Sequence, residues 1–247
     1  MHQGRLLPLQ IIRLEPTPGN TADCRHIGVA DDGLPWAIKR VADGRYIPLS
    51  EYVCTHLAAA AGIAVPPCEI AELPNGEMAF ASRWEGGTLC DNEIRRQFLQ
   101  RGAIMPDALW RIHAFDLFVA NPDRHVGNYL VREDNAFPGQ PQCLAFDFSR
   151  ALCAAACPVP SLPLHPGCNT MKLWPAVVSI HGTARNAALS TIDRIRTLPD
   201  DSVQRLCHAL PESWADAQAL DRLYHWWNDS RPARLDQIAD YIRQGTP

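Results

Sequence analysis

The chain changes its hydrophobic period part-way along, and no other feature restricts the fold as much. Up to about residue 84 it alternates short β-branched or apolar runs with turn signals, and from Asp91 onward helical spacing takes over. Strands that come first and helices that follow fit an α+β chain better than a βαβ repeat. In the first part Leu9 to Leu14 reads as a strand. Residues 26–30 and 34–39 read as a hairpin around Asp31-Asp32-Gly33, with Pro35 confined to an edge or to the first position of its strand. A helix is expected from an N-cap at Ser50 to Gly62, followed by Pro66-Pro67. A second hairpin, residues 68–73 and 77–84, turns at Pro74-Asn75-Gly76 and leaves through Glu85-Gly86-Gly87.

In the second part residues 108–120 carry an apolar face broad enough for a core helix. A polar loop, Asn121 to Gly127, separates it from two short strands at 128–132 and 142–146. Residues 154–170 are rich in Ala, Pro and Cys and show no period; helices are expected again at 184–197, 200–209, 212–228 and 231–244.

Several classes of protein are disfavoured. With 247 residues the chain is one large domain or two packed ones, and none of its apolar runs approaches the ~20 residues of a membrane span. The first residues lack a signal-peptide pattern, so a cytoplasmic location is expected. A net charge of −4 argues against a broad nucleic-acid surface. The nine cysteines form no CxxC pair, which favours free, buried thiols. A metal site at Cys153, Cys157, Cys168 and His165 is the sharper alternative, set in a Pro-rich loop.

Chemistry concentrates between Phe115 and Leu152. Asp123 lies on the polar loop, Asn128 follows five residues later, and Asp147 lies beyond the short hairpin. Oxygen ligands suit Mg²⁺, so Asn128 and Asp147 at facing ends of a hairpin could share one ion, with Asp123 directed at an incoming hydroxyl. Upstream, Lys39 ends an apolar strand and Glu51 begins the next helix, placed to pair across a phosphate site. Taken singly, a strand-end Lys is solvated and a first-turn Glu is a helix-dipole partner. The serial order of strand Lys, helix Glu, loop Asp, Asn and a later Asp gives them joint meaning.

The stretch Phe115 to Leu130, with Asn-Pro-Asp-Arg-His-Val-Gly-Asn at 121–128, followed by Ala145-Phe146-Asp147, resembles the catalytic segment of HipA-like kinases. It is more distantly similar to type II phosphatidylinositol 4-kinases. The resemblance implies a bilobal protein-kinase-like fold, with a β-rich nucleotide-binding N-lobe over residues 1–88 and a mainly helical C-lobe over 89–247. It further implies ATP and Mg²⁺ as cofactors and a protein Ser/Thr hydroxyl as acceptor. Asp123 would be the hydroxyl-orienting base, Asn128 and Asp147 the magnesium ligands, and Lys39 the phosphate holder with Glu51 as its partner. The backbone of Ser82 and Trp84 would read the adenine edge, and His125 would lie near the phosphates. Arg124 is expected to brace the loop, with substrate contact as the alternative. Asp116 is expected to accept from the loop's backbone N–H groups, and Asn121 to cap the loop.

The chain departs from the pattern in two places: no GxGxxG is present, which leaves Pro18 to Ala22 as the covering loop, and Ser149 stands where a glycine is expected. Those departures keep a non-catalytic nucleotide-binding module open, and transfer to a small molecule or lipid headgroup is the other alternative. A regulatory or antitoxin-like partner has no residue pattern of its own, and the resemblance is expected to be to a compact branch of the family without the extra N-terminal β-domain of the longer HipA toxins.

Overall fold

The computed structural model describes residues 7–17, 26–84, 96, 98–100, 102, 104–133, 141–153, 157–158 and 165–245. Five strands, β1 (Leu9–Pro16), β2 (His26–Ala30), β3 (Pro35–Lys39), β4 (Cys68–Glu72) and β5 (Met78–Arg83), close into a barrel in the order β1-β2-β3-β5-β4. All neighbours are antiparallel except β1 and β4, which meet in parallel through Leu9 opposite Ala71 and Gln10 opposite Glu72. That last pairing leaves the sheet without an open edge. Pro35 starts its strand, as its missing N–H requires. The barrel interior is filled by Leu9, Ile11, Ala30, Trp36, Ile38, Ala71, Leu73, Ala79 and Ala81, alternate positions whose many alanines suit a narrow lumen.

Between β3 and β4 runs α1 (Ile47–Ala60). Its N-cap is Tyr46, four residues before the expected one, with Pro48 in its first turn, where a missing N–H costs nothing. Ser50 is therefore no N-cap; its buried hydroxyl donates instead to the carbonyls of Phe148 at 2.7 Å and Ala151 at 2.9 Å. The apolar side of α1, with Leu49, Val53, Cys54, Leu57 and Ala58, joins the main helical core and not the barrel's. The helix stops at Gly62 in the left-handed region, φ +79°, and a Cβ built there would lie 1.6 Å from Arg194 Nη1. The arginine tip can swing aside, but the backbone angle cannot relax, so Gly62→Ala should lower unfolding free energy by about 1 to 2 kcal/mol. Equal urea midpoints for the variant and wild type would contradict this account of the stop.

The main core is organised around α2 (Pro106–Phe118), buried on nearly every side from Leu109 onward. It packs against α3 (Asn169–His181), α4 (Arg185–Arg196) and α7 (Arg231–Gln244). The hairpin β6 (Tyr129–Glu133) and β7 (Pro141–Ala145) follows the polar loop. After α5 (Ser202–His208), the helix expected over 212–228 is divided into a 3-10 turn at Glu212–Trp214, α6 (Ala217–His225) and a π turn at Trp226–Ser230. The wider π turn lets two consecutive residues, Trp226 and Trp227, both face the core, where their rings lie 5.3 and 6.2 Å from Phe118. Trp214 is fully buried and donates from Nε1 to the Met78 carbonyl of β5 at 3.1 Å, tying the C-terminal part to the barrel.

Helix α3 was not legible in the sequence because Pro175 lies inside it and Gly and Pro precede it. Its Trp174 stacks on His113 of α2, with ring centroids 3.6 Å apart and planes 5° from parallel. Burial holds the His113 imidazole neutral, moving its pKa from 6.5 to about 3. The unfolded chain takes up this proton near pH 6.5 and the fold only near pH 3, so acid favours unfolding. Stability present above pH 6.5 is lost as pH falls through that window, by at most about 1.4 kcal/mol per unit. His113→Phe keeps the ring stack and should flatten the curve of unfolding free energy against pH between 6.5 and 3. An unchanged slope would show that other groups dominate the acid limb.

Candidate functional site

Buried Lys39, Glu51 and Ser149 meet the partly exposed Asp147 in one cluster, brought together from the end of β3, the second turn of α1 and the turn after β7. The Lys39 ammonium donates to Glu51 Oε1, to Asp147 Oδ1 at 2.7 Å and to Ser149 Oγ at 2.8 Å. Three N–H groups thus find three acceptors. Ser149 Oγ in turn donates to Glu51 Oε1 at 2.8 Å. Asp147 adopts φ +61°, a left-handed backbone that aims its carboxylate back at β3.

One ammonium faces two carboxylates, so the cluster carries a net charge of about −1, with Asp147 its partly exposed member. Burial disfavours the Asp147 carboxylate, but the adjoining Lys39 charge outweighs it and holds Asp147 well below the usual carboxylate range. Burial likewise opposes the Lys39 charge, and the two carboxylates overcome it, so the ammonium is held above its ordinary value. Glu51 moves upward, through burial first and the Asp147 charge second, because Lys39 compensates it only in part. Burying so many polar groups is not an economical way to stabilise a core, which makes the cluster the candidate site.

The polar loop is organised by Arg124, which is 1% exposed. Its guanidinium makes a two-pronged pair with Asp116 of α2, Nε to Oδ2 at 2.8 Å and Nη2 to Oδ1 at 2.9 Å. Nη1 donates to the carbonyls of Asn128, at 2.8 Å, and Phe146. One side chain therefore ties the loop to the start of β6 and the exit of β7, and sets the Asn128 backbone against that of Phe146, the residue before Asp147. The Phe148 ring lies under the same guanidinium, 4.9 Å from its carbon. Such burial leaves Arg124 as a brace with no access to substrate. Asp116 is corrected accordingly: its carboxylate accepts from the Arg124 guanidinium and from Asn121 Nδ2 at 2.8 Å, not from backbone N–H groups of the loop. Asn121 does cap the loop, Oδ1 accepting from Asp123 N at 3.1 Å.

Two residues that sequence reasoning missed come from the first turn of α3. Asn169 Nδ2 donates to Asp123 Oδ1 at 2.6 Å, and Thr170 Oγ1 donates to the Asn121 carbonyl at 2.6 Å while accepting from Arg124 N at 3.0 Å. The signal was present as Asn-Thr ahead of Trp174, Val177 and His181 at helical spacing, but Pro175 masked it. Asn128 Nδ2 donates to the Asp123 carbonyl at 3.0 Å, so Asp123 is held from both sides.

Other expected residues lie differently. Ser82 is inside the ladder, opposite Ala37 on β3 and Cys68 on β4, and Trp84 N–H is spent on the Pro35 carbonyl at 3.0 Å. Of the expected adenine-reading groups only the Trp84 carbonyl remains outside these pairings; Glu85-Gly86-Gly87 and the Pro18 to Ala22 loop lie outside the described residues. His125 is exposed, accepts from Gly127 N at 3.1 Å, and lines a mainly apolar cavity of about 450 Å³ with Val126, Leu173, Val177 and Ile180. Cysteine chemistry is corrected in part: Cys153 and Cys157 form a disulfide with Cα atoms 4.1 Å apart. Cys54, Cys68, Cys143, Cys168 and Cys207 are free, and burial pushes the Cys143 thiol up to about 12. Among the described residues no three His, Cys, Asp or Glu side chains group as a metal site, so the Cys153, Cys157, Cys168 and His165 alternative is not formed.

Solved structures resemble the fold. A proinflammatory kinase of Helicobacter pylori, CtkA, matches 95% of this chain and 97% of its own length with a TM-score of 0.60 at 12% identity. The fold is that of the HipA-like kinases. A Shewanella oneidensis HipA, solved with HipB and operator DNA, matches 89% of the chain at a TM-score of 0.53 and 12% identity. The chain spans 62% of that protein's length. No family model and no curated protein matches the chain. No helix among the described residues is long and apolar enough to cross a membrane.

Proposed function

We propose that the chain is an ATP- and Mg²⁺-dependent kinase that transfers the γ-phosphoryl group to a Ser or Thr hydroxyl of a protein in the cytoplasm. The observation that carries this reading is the meeting of Lys39, Glu51 and Asp147, far apart in sequence, in one hydrogen-bonded cluster. In this reading residues 1–88 and 89–247 act as two lobes, and the nucleotide lies between them. Asp147 and Asn128 offer hard oxygen donors in a cluster of net negative charge, which fits Mg²⁺ when water and phosphate oxygens complete its shell. The ion would neutralise charge developing on the phosphates.

Lys39, oriented by Glu51, donates to phosphate oxygens. Asp123, held by Asn169 and by the Asn128 amide, aligns the acceptor hydroxyl and receives its proton. The new bond joins the acceptor oxygen to the γ-phosphorus, the bond to the β-phosphate oxygen breaks, and ADP leaves with the electron pair. Arg124 holds the loop in register throughout. The Trp84 carbonyl would meet the adenine edge, and His125 would lie near the phosphates.

A second reading, transfer to a small molecule or a lipid headgroup, draws on the apolar cavity beside His125, which is large enough for a compact acceptor. Incubation of the chain with γ-labelled ATP and fractions of protein, lipid and metabolite separates the two. Label on protein Ser or Thr is expected. Label confined to metabolites or lipid would establish the second reading, and failure to bind Mg-ATP would overturn both.

A further inference from the structure

Ser149 occupies the position where the resemblance calls for a glycine, yet its side chain is only 1% exposed and fully engaged. Its hydroxyl has one proton. Lys39 can only donate to it, so that proton must go to Glu51, and the rotor is fixed between the two at 2.8 Å each. The Ser149 N–H also leans on Asp147 Oδ1 at 3.4 Å. The chain makes little use of lysine elsewhere: besides Lys39 it contains only Lys172, against 21 arginines. An ammonium with three tetrahedral N–H groups fits three converging acceptors, whereas a planar guanidinium does not.

We propose that Ser149 is a positioning residue of the phosphate site, the second fixed anchor that keeps the Lys39 ammonium aimed once Asp147 turns to a cation. The inference rests on the phosphotransfer reading. When Mg-ATP enters, the cation claims the Asp147 carboxylate and Lys39 exchanges that acceptor for a phosphate oxygen. Glu51 and Ser149 remain. With two acceptors fixed, the third N–H has one direction left; with Glu51 alone, the ammonium pivots about a single bond. The serine therefore supplies from its side chain an anchor that glycine would lack.

The scarcity of lysine makes the test direct. Lysine-selective ¹⁵N labelling gives two side-chain ammonium signals, with exposed Lys172 as the internal reference. Ser149→Ala should shift the Lys39 signal and speed its proton exchange while Lys172 stays put, and the near-ultraviolet spectrum should remain that of the folded chain. The same variant should weaken Mg-ATP binding by calorimetry, and raise KM for ATP, about tenfold, the scale of one lost hydrogen bond to a charged group, with a much smaller fall in kcat. Ser149→Thr keeps the hydroxyl and should restore both readouts. A wild type that binds Mg-ATP and an alanine variant of equal affinity would overturn the role. If neither form binds Mg-ATP while alanine still moves the Lys39 signal, the nucleotide reading falls and the anchoring of Lys39 stands.

Discussion

Asp123→Asn is expected to bind Mg-ATP almost as the wild type does and to turn over at least about a hundredfold more slowly. The two halves of this expectation come from different contacts. Asp123 is held by Asn169 at 2.6 Å and by the Asn128 amide on its carbonyl, and it takes no part in the Lys39 cluster. Replacing its carboxylate leaves the phosphate-binding charges in place and removes the acceptor for the hydroxyl proton. Asp147→Asn should do the reverse, since it removes a charge that Lys39 and the cation both use, and Mg-ATP affinity should fall by at least about tenfold. Calorimetry that finds one affinity for wild type and both variants would end this division of roles. A smaller effect is expected from Asn169→Ala, which frees the Asp123 carboxylate without removing it; turnover should drop while the affinity for nucleotide holds.

The order of the candidate residues is carried by local patterns that a sequence displays: a strand-end lysine, an early helix glutamate and a loop with Asp and Asn five apart. The β-rich start was legible for the same reason, since two-residue periods and Gly-containing turns are short-range signals. Barrel closure was not, because the pairing of Leu9 with Ala71 joins strands that no turn connects and leaves no mark on either. Helix α3 was hidden by its own proline, and with it Asn169 and Thr170. Ser50 was read as a cap because a polar residue before an apolar run looks the same whether it satisfies its own helix or reaches the Phe148 and Ala151 carbonyls. Asp116 was read as a backbone acceptor because its partner lies eight residues away across a turn whose shape the sequence does not specify. In each case the missing information is a long-range contact, and here those contacts fix the site.

The largest loss of stability is expected from Asp116→Asn. Arg124 is 1% exposed and Asp116 is fully buried, so the variant leaves a guanidinium in the core without its countercharge. Breaking one side of such a pair costs about 3 to 5 kcal/mol, which for a chain of this size lowers Tm by about 6 to 20 °C. Arg124→Met should cost a comparable amount, because it strands the Asp116 carboxylate and also removes the donor from the Asn128 and Phe146 carbonyls. The double variant, Asp116→Leu with Arg124→Met, removes both charges and should recover much of the stability lost by either single change. Its activity should not recover. The methionine cannot bridge the Asn128 and Phe146 carbonyls, so the tie between the backbone segments that carry Asn128 and Asp147 is lost. Thermal melts and turnover measured on the same four proteins separate the two functions of the pair. Single variants that melt with the wild type would refute the stability argument, and a double variant with full turnover would show that the guanidinium bridge is dispensable for assembling the site.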